Sequence, residues 1–118
     1  MRIAIVVTSG GTFGKRGFYN RQEVGLARGL SALGHIVEVH KTVPLEQPAH
    51  VEVLGDACLL RDTPQRMLGN NGWFDSSLLA SFSPDAVIMF TDTQLSTPYV
   101  ARWCDKNGVP FLPYVGIM

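Results

Sequence analysis

Four glycines fall within the nine residues from Ser9 to Gly17, alongside Thr12, Lys15 and Arg16. Glycines let backbone N–H groups come close to a ligand, and a helix starting just beyond adds its positive end. The chemistry such a stretch offers is anion binding, with a phosphate group as the natural guest. Gly10, Gly11, Thr12, Lys15 and Arg16 are the candidate residues. The plainer alternative is a flexible turn. Two standard phosphate loops do not fit. Gly10 to Gly14-Lys15 is one residue short of a Walker A loop, and Arg16 stands where Ser or Thr would hold magnesium. The dinucleotide G-x-G-x-x-G pattern is absent, which leaves Glu38 without the context that would make it a ribose-binding acid.

Asp92 and Gln94 form a second candidate group, just after the apolar run Ala86–Phe90. An acid there could accept hydrogen bonds from sugar hydroxyls or act as a base, and a carboxamide suits bidentate hydroxyl recognition. Capping and solvated-loop roles are the alternatives. His35, His40 and His50 lack metal-ligand spacing and read as surface residues. Cys58 and Cys104 sit among apolar neighbours and read as inert small hydrophobes. Trp103 reads as packing. Trp73-Phe74, after Asn70-Asn71-Gly72, reads first as a core anchor, the alternatives being a stacking platform for an acceptor or a contact with a second domain.

These residues need elements to position them. Ile3-Ala4-Ile5-Val6-Val7 is a short apolar, β-branched run, as expected of a strand buried on both faces. Asn20 and Glu23 have capping-box spacing, and Tyr19 with Val24 has the spacing of a hydrophobic staple. Leu26, Ala27, Leu30 and Leu33 follow at helical spacing, and Gly34 is placed to end the helix. Gly25 and Gly29 suggest close packing of that helix on the sheet. His35–His40 alternates as a second strand, closing a right-handed βαβ unit. His50–Leu54 and Ala57–Leu60 flank Gly55-Asp56 as a hairpin. Arg61–Asn71 reads as a loop. Asp75–Phe82 and a segment opening at Thr97-Pro98 and ending at Asn107-Gly108 read as helices. Ala86–Phe90 and Phe111–Val115 read as further strands.

The alternation predicts an α/β fold: a doubly wound parallel sheet of order 3-2-1-4-5 with a hairpin extension, in three α/β/α layers. Ile3–Val7 and Ala86–Phe90 would then be neighbours at the switch point. The loops after them would face one another across a ligand crevice.

With 118 residues, the chain has room for one domain, residues 1–118. Ten basic and ten acidic side chains give a net charge of zero, so no basic field points to nucleic acid. Two cysteines make neither a disulfide framework nor a metal cluster. The apolar runs are too short to cross a membrane, and no signal peptide is visible, so a cytoplasmic chain is expected.

Taken together, these pieces resemble the N-terminal domain of a GT-B glycosyltransferase of the family 4 type. The resemblance is carried by the M-R-I-A-I-V-V opening, Gly10-Gly11, and Leu30-Ser31-Ala32-Leu33-Gly34-His35 leading into Ile36–Val39. Ser83-Pro84-Asp85-Ala86-Val87-Ile88 and Asn107-Gly108-Val109-Pro110-Phe111 extend it across the chain. It implies a Rossmann-like, acceptor-side half of a two-domain enzyme that moves a sugar from a nucleotide-sugar donor to a sugar or lipid-linked acceptor. Gly10 and Gly11 would lie by the donor phosphates. Tyr19, Asp92 and Gln94 would line the acceptor side of the cleft, with Asp92 the catalytic candidate. The family's E-x7-E pair belongs to the C-terminal domain, and the same spacing between Glu38 and Glu46 is read as chance. A histidine that often follows the last strand is not found before Met118. The chain would then be a front half, inactive alone, with no cofactor or metal of its own. A homodimer could cover the face left for the partner domain. A lipid-linked acceptor would put it at the inner face of the membrane. The alternative is a stand-alone flavodoxin-like binding or regulatory domain.

Overall fold

The computed structural model describes residues 1–8, 22–68, 71–72, 74–90 and 96–114. In chain order the elements are β1 (Arg2–Val7), α1 (Gln22–Ala32), β2 (Ile36–Val43), β3 (His50–Gly55), β4 (Cys58–Pro64), β5 (Met67–Leu68) and β6 (Asn71–Gly72). Then come α2 (Ser77–Phe82), β7 (Ala86–Phe90), α3 (Thr97–Asn107) and β8 (Phe111–Tyr114). The fold is α/β. Six of these strands make one mixed sheet in the order β3-β4-β2-β1-β7-β8, and β5 pairs with β6 as a separate ribbon.

This order differs from the all-parallel 3-2-1-4-5 expected from the sequence. The hairpin is part of the sheet itself. β4 runs parallel to β2 over its whole length, from Val37 opposite Cys58 to Val43 opposite Pro64, and β3 closes that side as an antiparallel edge. Its bend is displaced by one residue: Gly55 pairs with Cys58, and Ala57 takes the positive φ of 53°. Residues 61–64, expected to be loop, continue β4. They lack apolar periodicity because they lie beside an equally polar stretch of β2, His40-Lys41-Thr42.

β1 lies between β2 and β7, parallel to both. Its alternate side chains enter two apolar clusters on opposite faces of the strand. Ile3, Ile5 and Val7 pack with Val37, Val39 and Leu60, and with Val24 and Ala27 of α1. Ala4 and Val6 pack with Val87, Met89 and Phe74, and with Leu79 and Phe82 of α2 and Val100 and Cys104 of α3. Trp103 packs at the margin of this second cluster.

The helix ends follow local chemistry. Gly34, at φ 97°, terminates α1, with its N–H on the Ser31 carbonyl and that of His35 on the Leu30 carbonyl. Leu33 is 76% exposed, outside the buried face. Gly25 and Gly29 do not mediate close packing, because a Cβ at either position would enter open space. The Asp75 carboxylate accepts the Ser77 N–H at 2.9 Å, so α2 begins slightly later than expected. Pro98 lies in the first turn of α3, and Gly108 ends it in the left-handed region.

Arg2 and Asp85 clasp the start of β1 to the start of β7. The Arg2 N–H donates to Asp85 Oδ2 at 2.8 Å, and the Asp85 N–H donates to the Arg2 carbonyl at 2.6 Å.

Candidate functional site

The expected site residues Gly10, Gly11, Thr12, Lys15, Arg16, Tyr19, Asp92 and Gln94 lie outside the described residues, as do Asn20 and Trp73. What is described is the framework from which their segments depart. Val7 and Phe90 are register partners, so β1 and β7, the strands that precede residues 9–21 and 91–95 in the chain, end side by side. Thr8 is buried there. Across the same end, Tyr114 Oη donates to Gln22 Oε1 at 3.5 Å, and the Phe90 and Tyr114 rings lie 4.5 Å apart.

A second polar group lies further along the sheet. Glu38 and His40 are two apart on β2 and share a face. Arg61 on β4 is the register partner of His40, and Val6 on β1 is its partner on the other side. Glu38 Oε1 accepts a hydrogen bond from Arg61 Nε at 2.7 Å. The same oxygen lies 3.3 Å from His40 Nε2, yet neither ring nitrogen of His40 has a hydrogen-bond partner among the described residues. The 3.3 Å approach is thus a close contact without hydrogen-bond alignment.

His40 was expected at the surface; it is instead 2% exposed. The cause is non-local. Phe82 of α2 and Phe74 stand edge-on to the imidazole, with centroids at 6.0 and 6.3 Å. Arg2 borders the same space. Its Nε and Nη2 donate to the Phe82 carbonyl at 3.0 and 2.8 Å, and its guanidinium carbon lies 4.4 Å from the Phe82 ring centroid. Together Arg2, Glu38, His40, Arg61, Ser81 and Phe82 border a cleft of about 460 Å³, with Leu78 completing the wall.

Burial holds the His40 imidazole below its ordinary value of 6.5, because the charged ring would lose its hydration. Glu38 pulls the value back up and Arg61 pushes it further down. The ring is therefore neutral at pH 7, with one donor and one acceptor nitrogen. A neutral imidazole between a carboxylate and a guanidinium can bind a hydroxyl and exchange a proton with it.

A third polar group lies on the opposite face of β2. Lys41 Nζ donates to Glu23 Oε1 at 3.0 Å, and both side chains are buried. Asp62, also buried, is the register partner of Lys41. Glu23 Oε1 thus meets a residue of β2, while Asn20, its expected capping-box partner, lies outside the described residues.

Cys58 and Cys104 are free and buried. Burial pushes both thiols up, the effect at Cys58 being partly offset by Arg28 and by a hydrogen bond with Ser31. Among the described residues, no group of three His, Cys, Asp or Glu side chains is arranged to hold a metal ion. Also among them, no helix is long and apolar enough to cross a membrane.

Comparison with protein-family models, with curated proteins and with solved structures gives no match.

Proposed function

We propose that the chain is the acceptor-side, N-terminal domain of a two-domain GT-B glycosyltransferase. In this reading it is a Rossmann-like, doubly wound domain of three α/β/α layers. Gly10, Gly11, Thr12, Lys15 and Arg16 meet the donor phosphates, and Tyr19, Asp92 and Gln94 face the acceptor. Sugar transfer needs a second domain, because positioning donor against acceptor is done between two lobes. The donor is a nucleotide-sugar, and the acceptor a sugar or a lipid-linked sugar. That acceptor chemistry suits a cytoplasmic protein working at the inner face of the membrane. In the absence of a second lobe, a homodimer covers the exposed face.

One observation carries the reading: Val7 and Phe90 are neighbours in register on parallel strands. In open α/β sheets, ligands bind beyond the carboxyl ends of such strands. The segments with the anion-binding and hydroxyl-binding residue types both start at that point. The sequence resemblance supplies the reaction class.

The test is an NMR titration of the isotopically labelled chain with UDP, GDP and inorganic phosphate. The expected result is weak binding, with a dissociation constant on the order of millimolar and shifts confined to residues 9–20 and 91–94. Shifts clustered elsewhere, or none with any nucleotide, overturn it. The second reading, a stand-alone binding domain, is favoured by the cleft around His40, where a buried imidazole, two guanidinium groups and a carboxylate border one space.

A further inference from the structure

We propose that the cleft bordered by His40, Arg61 and Arg2 is a binding site for a small hydroxylated monocarboxylate. This site is separate from the crevice at the ends of β1 and β7 and does not depend on the glycosyltransferase reading.

Three observations carry it. His40 is 2% exposed, both its ring nitrogens lack a hydrogen-bond partner among the described residues, and it borders the cleft. A buried polar atom without a partner is costly, and native structures normally supply one. A hydroxyl is the natural complement, since it can donate to one nitrogen or accept from the other.

The second observation is charge. Two guanidinium groups and one carboxylate border the cleft, leaving one net positive charge beside a neutral imidazole. Arg61 uses Nε on Glu38, and its side chain remains 42% exposed. A guanidinium presents a planar fork that matches a carboxylate. The third is size and lining. About 460 Å³ is within the range of small-molecule sites, and Phe82 and Leu78 give one wall an apolar surface for a ligand's carbon skeleton.

The probe is D-glucuronate, with D-glucose lacking the charge and acetate lacking the hydroxyls. Binding is read from the His40 ring carbon resonances and from the backbone amides of residues 38–40, 61 and 81. Glucuronate is expected to shift these saturably, and glucose and acetate to bind at least roughly tenfold more weakly. Arg61→Gln should weaken glucuronate by about tenfold or more, while Arg66→Gln, at an exposed position, should leave binding unchanged. The amide spectrum of each variant reports whether it has folded. If Arg61→Gln fails to fold, the wild-type His40 ring resonances decide the question. Absence of a saturable shift at the His40 ring overturns the proposal. So does acetate or glucose binding as tightly as glucuronate, or a folded Arg61→Gln variant that binds normally.

Discussion

Lys41 Nζ donates to Glu23 Oε1 across 3.0 Å, with the two side chains 3% and 7% exposed. The pair joins the first turn of α1 to the carboxyl half of β2. Burying two charges costs hydration that their attraction only partly repays, so removing one partner is worse than removing both. Lys41→Met should therefore destabilise the chain by about 3–5 kcal/mol, and Glu23→Leu by a comparable amount. The double variant should recover a large part of that loss. Urea unfolding of the four proteins checks it. Losses that simply add in the double variant would show that the two residues are not coupled.

Stability should fall as the medium is acidified through the range in which His40 would ordinarily titrate. The ring faces Glu38 on its own strand, Arg61 on β4 and Arg2 on β1. Its folded value is lowered from 6.5, chiefly by burial. Between the unfolded value and the lower folded value, the unfolded chain binds more protons, so stability rises with pH. The contribution is present above about pH 6.5 and is lost as pH falls through the folded value. Denaturant midpoints of wild type and His40→Leu, measured from pH 8 to pH 5, test this. The difference between the two profiles should be flat above neutrality and change below it. Parallel profiles throughout would refute the assignment.

Two small exchanges should stabilise the chain. A methyl at Gly29 enters open space in the middle of α1, so Gly29→Ala should add roughly 0.5–1 kcal/mol through helix propensity. Ala57 holds a φ of 53° at the β3–β4 bend, a region that costs an L-residue roughly 1–2 kcal/mol. Ala57→Gly should recover part of that, less the added freedom of the unfolded chain. Thermal unfolding of each variant reads the outcome. A lower midpoint for Ala57→Gly would mean that the bend is not strained.

What could be read from the sequence was what local pattern determines. Ile3–Val7 and Ala86–Phe90 are apolar at successive positions because both faces of these strands are covered. Gly34 and Gly108 end helices because each takes a positive φ. His40 was misread because its burial comes from Phe74 and Phe82, more than thirty residues further along the chain. Residues 61–64 lacked a strand signature because their neighbours on β2 are themselves polar. The contact of Glu23 with Lys41, eighteen residues away, had no signal in the local spacing, which pointed only to a capping box with Asn20. The Glu38–His40–Arg61 cluster had one available signal: Glu38 and His40 at strand spacing beside a β-hairpin that had to pair somewhere.

The place of β1 in the sheet also orders events in time. Its partner on one side, β2, ends at Val43, and the hairpin that completes that side ends at Pro64. Its partner on the other side, β7, begins at Ala86. During synthesis the central strand thus passes through a stage with one flank closed and the other flank's backbone groups unpaired, an aggregation-prone edge. The Arg2–Asp85 clasp closes that flank from its first residue, so a strand made later silences the edge of a part made earlier.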